Sequence, residues 1–174
     1  VMSAFTLLGS VTGMATVAIV IVAALLLRGA QRRREALFLA VAALGGLLLN
    51  SGLKLFFHRD RPLVADYYLI PAPASFSFPS GHAMGSMSVA AGLVVVIHVL
   101  RWRRPARAVA IVVALLFCLG VAASRVYFGV HFPSDVIAGQ LAAAAWVCAV
   151  AGWFYPRLLP GEGSELAATT VPKA

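Results

Sequence analysis

The sequence predicts an all-α fold, a polytopic bundle of membrane-spanning helices. Of its 174 residues, 61% are hydrophobic and 11% charged, with a mean hydropathy of +0.93. That is more apolar material than one soluble core of this size can cover. It is gathered into runs of roughly spanning length, since hydrocarbon ~30 Å thick takes about 20 apolar residues per helix. Charged or proline-rich breaks separate the runs, and there is no repeat of fixed period.

The first run, Phe5 to Leu27, has no basic segment before it and exceeds the ~7–15-residue apolar core of a signal peptide, so it reads as a retained helix. The others are Ala36 to Phe57, His82 to Leu100, Ala108 to Ala123 and Val136 to Phe154. Cys118 and Cys148 each lie inside an apolar run and read as small buried hydrophobes, with no disulfide framework implied. Gly161 to Ala174, small and polar after Pro160, reads as a mobile tail. The expected organisation is a membrane domain over residues 1–159 and a cytoplasmic tail over 160–174.

A formal charge of +8 would suggest nucleic acid in a soluble protein. Here the cations cluster instead. Arg28, Arg32, Arg33 and Arg34 lie between the first and second runs, and Arg101, Arg103, Arg104 and Arg107 between the third and fourth. Both loops therefore face the cytoplasm, and the partner implied is membrane lipid, with no nucleic acid. Helix alternation puts the connections Arg59–Phe78 and Ser124–Asp135 on the outer face. It also leaves the N-terminus outside, an arrangement more natural if another helix precedes this chain.

Polar residues then stand where lipid discourages them. Lys54 ends the second run, and "KLFFHRDRP" carries it to Arg61 and Pro62. Seven residues is nearly two turns, so a continued helix would project Lys54 and Arg61 from one face until Pro62 ends it. Alone, Lys54 would read as a lysine snorkelling to the interface. "PSGH", Pro79 to His82, opens the third run. A Ser-Gly helix start either caps the helix with Ser80 or turns free amides and the positive dipole end toward an anion. "SRVYFGVHFPSD" places Arg125, His131 and Asp135 in the remaining outer loop and at the start of the last helix. A lone His131 could be an ordinary interfacial histidine. Two histidines, three cations and a carboxylate on one membrane face make instead a functional hypothesis. The guanidinium forks of Arg61 and Arg125, the Lys54 ammonium and the amides at Ser80 and Gly81 suit phosphate oxygens. The histidines can supply the nucleophile and the proton that phosphoryl transfer needs.

These segments, Lys54-x6-Arg61-Pro62, Pro79-Ser80-Gly81-His82 and Ser124-Arg125-x5-His131-x3-Asp135, resemble the three-part signature of the type-2 phosphatidic acid phosphatase superfamily, which includes vanadium haloperoxidases and bacterial acid phosphatases. The resemblance implies a lipid phosphatase of the cell membrane with its site on the outer face. In it His131 is the phosphorylated nucleophile, Asp135 orients its imidazole, and His82 protonates the leaving oxygen. Lys54, Arg61, Ser80, Gly81 and Arg125 hold the substrate phosphate. Membrane members usually have six helices, so five runs here imply a further helix before them. Ser124 belongs to the signature without a chemical role that follows from the residues. Arg59 and Asp60 read as a surface pair, and His58 and His98 as interfacial.

The expected substrate is a lipid phosphate or diphosphate. The wording "FPSGHAMGS" is similar to bacterial members assigned to undecaprenyl diphosphate recycling, with phosphatidate and phosphatidylglycerophosphate as alternatives. Aromatics in the outer loop "LVADYYLIPAPASFSF" suit the interface. No cofactor and no metal are expected, because Asp60, Asp66 and Asp135 are too scattered for a two-metal site. The other readings are a vanadate-holding haloperoxidase, a non-catalytic lipid-phosphate binding protein, and a phosphotransferase of the same fold. The five apolar runs argue against the first, and the second would need neither both histidines nor Asp135.

Overall fold

The computed structural model describes residues 1–62 and 74–158, the last four by backbone only. The expected tail, Asp66 and most of the aromatic outer loop lie outside the described residues. Six α-helices follow one another: α1 (Met2–Leu8), α2 (Val11–Leu27), α3 (Arg33–Phe57), α4 (Gly81–Val99), α5 (Arg104–Tyr127) and α6 (Pro133–Leu158), with one 3-10 turn at Ala30–Arg32. Among the described residues four helices are long and apolar enough to cross a membrane, and five spans result if α1 and α2 count as one. The chain is a multi-pass membrane protein.

The first run differs from its expectation. It is two helices bent by 57°, because Ser10 starts a new one by accepting the Gly13 amide on its side chain at 3.0 Å. The second run ends where expected, at Phe57, but the helix does not continue to Arg61. His58 caps it in the left-handed conformation (φ 45°) and returns its amide to the Lys54 carbonyl. The fourth apolar run is only the middle of α5, which opens with Pro105 in its first turn and carries Ser124 and Arg125 in its last. Pro133 likewise opens α6 and brings Asp135 into its first turn. Arg125 and Asp135 are thus helical.

α4 packs against α2, α3, α5 and α6. At the end of the bundle away from the signature segments, Phe38, Leu39, Ala42, Val96, Val147 and Val150 form the main apolar cluster. Between α3 and α6, the Trp146 indole donates to the Ala42 carbonyl at 3.1 Å, satisfying in lipid a group that has no water to bond. Leu44, Leu48, Leu115, Leu116, Leu119 and Leu141 point outward, as a lipid-facing surface requires. Cys118 is buried, but Cys148 is exposed on the outside of α6, a correction to its expected burial.

Buried polar groups gather at the other end: Ser77, Ser80, Ser124, Arg125, His131 and Asp135 are each at most 4% exposed. Two close approaches hold this end together. The Ser80 amide donates to the Asp135 carbonyl at 3.0 Å. A Cβ on Gly139 would come within 2.9 Å of the Ser80 carbonyl, so only glycine lets α6 pass so near the start of α4.

Candidate active site

The α4 start is the first component. Its ladder begins with the Met84 amide on the Ser80 carbonyl at 2.9 Å, so the amides of Gly81, His82 and Ala83 precede any intrahelical acceptor. Ser80 does not cap the helix with its side chain. Its hydroxyl is fully buried without a hydrogen-bond partner among the described residues, a costly state that a bound anion would relieve. Behind this turn Asn50, buried in α3, donates to the Pro79 carbonyl at 3.3 Å.

The cations come from three directions. Lys54, in the last turn of α3, donates to the Phe76 carbonyl. Arg61, beyond the helix end, donates through Nε to the Ser75 carbonyl at 2.9 Å and through Nη1 to the Val130 carbonyl at 2.7 Å. Lys54 and Arg61 still line one open cavity, with Ser51, Asp60, Ser75 and Phe76; loop bonds, not a shared helix face, bring them together. Arg125 is 2% exposed, and its Nε is buried without a partner among the described residues. Nη1 of Arg125 donates to Thr6 at 3.3 Å, and Thr6 in turn donates to Ser124 at 2.9 Å.

His131 is 4% exposed in the turn between α5 and α6. Nδ1 lies 3.4 Å from Asp135 Oδ2, and Nε2 lies 3.3 Å from Arg61 Nη1. A guanidinium only donates, so Nε2 must present its lone pair and the ring proton sits on Nδ1, facing the carboxylate. Burial first, then the charges of Arg61, Arg125, Lys54 and His82, push the His131 pKa well below its ordinary range. The ring is therefore neutral at physiological pH. Lys54, Arg61 and Arg125 also act electrostatically on His82, at the first turn of α4. The charged signature side chains and both histidines thus share one region.

Three functional neighbours do not stand out in the sequence. Ser77, fully buried, donates to Asp135 Oδ2 and lies 3.4 Å from His131 Nδ1. The only cue for it is a hydroxyl between two phenylalanines in "FSFP". Arg59 does not pair with Asp60. Its Nη1 donates to Asp135 Oδ1 at 2.9 Å, and its guanidinium stacks on Phe132 at 4.3 Å. The Phe132 amide adds a third donor to Asp135, at 3.0 Å to Oδ2. Asp135 is thus gripped on both oxygens. The third neighbour is Thr6, which nothing in the sequence connects with Arg125. His58 and His98 stay apart from this cluster, the first against Phe76 and the second bonded to Arg107 at 3.1 Å. Among the described residues no three His, Cys, Asp or Glu side chains are grouped as a metal site.

The family model of the PAP2 superfamily matches residues 35–158, which contain all three signature segments. The chain belongs to the PAP2 superfamily. Among its PAP2 relatives, undecaprenyl-diphosphatase BcrC of Bacillus subtilis is 29% identical over 73% of this chain and 61% of the relative. An undecaprenyl-diphosphatase of Sulfolobus acidocaldarius is 33% identical over 72% of this chain and 58% of the relative. The chain therefore spans about three fifths of these two relatives. Among solved structures, a transmembrane PAP2 type phosphatidylglycerolphosphate phosphatase from Bacillus subtilis superposes with a TM-score of 0.74. It is 28% identical, over 87% of this chain and 74% of that one. The expected family and fold are borne out.

Proposed function

We propose that this PAP2 protein is a lipid phosphatase that removes the terminal phosphate of a lipid phosphate or diphosphate through a phosphohistidine. The observation that carries the reading is the His131 imidazole, braced at Nδ1 by Asp135 and with Nε2 against the Arg61 guanidinium. In this mechanism the substrate phosphate sits among Lys54, Arg61, Arg125, the Ser80 hydroxyl and the amides at the start of α4. Nε2 attacks the terminal phosphorus, its bond to the leaving oxygen breaks (the lipid oxygen of a monophosphate, the bridging oxygen of a diphosphate), and His82 gives that oxygen its proton. Water then attacks the phosphohistidine while His82 takes a proton from it, which frees inorganic phosphate and regenerates both histidines. The cations neutralise the transferring group's charge, the part a divalent metal plays elsewhere.

The substrate favoured is undecaprenyl diphosphate. The names of the two undecaprenyl-diphosphatase relatives support it, and the phosphatidylglycerolphosphate phosphatase that superposes on this chain supports phosphatidylglycerophosphate as the second reading. An apolar groove of about 440 Å³ between α2, α3 and α4, running from Leu26 and Ala40 up to Asn50 and Gly81, offers room for hydrocarbon beside the site. The decisive assay is phosphate release by the purified protein in detergent from undecaprenyl diphosphate, phosphatidate and phosphatidylglycerophosphate, each with and without EDTA. The expected result is fastest release from the diphosphate and rates unchanged by chelation. Transfer of phosphate to an added alcohol, with none freed, would instead establish a phosphotransferase. The site is further proposed to face the cell exterior, opposite the arginine clusters. In intact cells of a Cys148→Ser background, an impermeant thiol reagent should label Asp60→Cys and spare Arg33→Cys.

A further inference from the structure

We propose that Thr6, which lies outside every signature segment, is a positioning residue for Arg125 and that α1 is thereby part of the phosphate site. The inference rests on the reading of Arg125 as a phosphate-holding group.

α1 is docked on α5 by two glycines. Any Cβ on Gly120 would collide with the Phe5 ring, and one on Gly9 would lie 2.6 Å from Val121 Cγ1. Phe5 also meets Phe117, with ring centroids 6.4 Å apart. These contacts bring Thr6, half-buried between them, over the last turn of α5.

There its hydroxyl joins a chain of bonds with one direction. Ser124 donates to the Val121 carbonyl at 2.7 Å, which commits its proton and leaves its oxygen to accept. Thr6 donates to that oxygen at 2.9 Å, which commits the Thr6 proton in turn. The Thr6 lone pairs are then the acceptor for Arg125 Nη1 at 3.3 Å. Each hydroxyl has one proton, so fixing the first fixes the second, and successive bonds polarise one another. The signature residue Ser124, which touches no reacting group, acquires a purpose as the anchor of this chain. With Nη1 held by Thr6, the guanidinium cannot turn about its own axis, and the edge formed by Nε and Nη2 remains for a ligand. Nε is the buried atom without a partner among the described residues, and that edge is the one that receives two oxygens of a phosphate side by side.

The test compares Thr6→Val, which keeps the shape and removes the hydroxyl, with Thr6→Ser, which keeps the hydroxyl. Both are assayed as the purified full chain with p-nitrophenyl phosphate as substrate and vanadate as inhibitor, and folding is followed by thermal unfolding. Thr6→Val should raise KM and the vanadate inhibition constant roughly tenfold, the scale of one hydrogen bond to a charged group, with kcat changed less than about threefold. Thr6→Ser should restore both constants. In an Arg125→Lys background, Thr6→Val should add nothing further. If Thr6→Val binds vanadate like the parent while Arg125→Lys does not, the inference is wrong and the phosphate site stands. If Arg125→Lys also leaves vanadate binding intact, the phosphate role of Arg125 fails as well. Should Thr6→Val prove unfolded, the comparison rests on Thr6→Ser and on Thr6→Ala, which also removes the hydroxyl. Roughly tenfold losses in folded Thr6→Ala that folded Thr6→Ser does not share support the inference, and parent-like constants in Thr6→Ala, or equal losses in both, overturn it.

Discussion

Arginine serves the two ends of this bundle in opposite ways. Where α2 meets α3 and α4 meets α5, Arg28, Arg33, Arg34, Arg101, Arg103 and Arg104 are exposed, and the partly covered Arg32 pairs with buried Glu35 at 2.9 Å. At the signature end Arg125 is buried, and the carboxylate of Asp135 is taken by Arg59. A solvated guanidinium costs little, and in the proposed topology the first set marks the cytoplasmic side. A buried one without a carboxylate is expensive, a cost that fits the proposed role of Arg125 in receiving a phosphate. On the proposed reading, the difference between a topology signal and a binding site lies in what surrounds the charge.

The sharpest break in this comparison comes from the two histidines at the costly end. His131→Ala should abolish turnover of every substrate, because the covalent route is gone. His82→Ala should lose about 10²–10⁴-fold on a lipid monophosphate, yet far less on p-nitrophenyl phosphate, whose leaving group departs without a proton. Equal losses on both substrates in folded His82→Ala protein would make His82 a phosphate ligand. Next in size, Arg125→Lys should cost on the order of a hundredfold in kcat/KM, since an ammonium cannot reproduce the fork. Arg103→Gln, at the solvated end, should leave kcat/KM within about twofold. Comparable losses at both positions would erase the distinction between the two ends.

The smallest effect is on pH. His131 faces Arg61, Arg125, Lys54 and His82, with Asp135 and Arg59 behind it, and its lowered pKa keeps the proposed nucleophile neutral well below about pH 6.5, where a free imidazole is half protonated. Titration of His131 should therefore not appear in kcat/KM until pH is more acid than that. Arg61→Gln removes one positive neighbour, so the residual activity should show its acid limb moved toward neutral pH. A limb that stays in place would remove Arg61 from the causes of the shift.

Most of the bundle is legible in the sequence because lipid imposes a length and an apolar composition on each span, which inspection of a single chain detects. What escapes it is local. The break at Gly9 and Ser10 hides inside an apolar run, since neither residue carries charge and only the cap bond to Gly13 reveals it. Spacing alone makes Lys54 and Arg61 look like one helix face, although α3 stops at Phe57. The signature residues are readable as a pattern, but their supports are not. Ser77, Arg59 and Thr6 reach partners 58, 76 and 119 residues away, and nothing periodic links such distances. Arg59 is misread from sequence because its nearest acid there, Asp60, is not the one that folding brings to it.

The Arg61 N–H that lies on His131 Nε2 has a consequence for chemical selectivity. A lone pair already engaged by a donor is a poor nucleophile toward neutral electrophiles that drift in from the bilayer, such as oxidised lipid aldehydes. In the proposed mechanism a phosphate, by contrast, would compete for that same N–H with its own oxygens as it arrives. On that reading the reagent that uncovers the nitrogen is the one it would attack, and the resting imidazole is shielded from accidental alkylation.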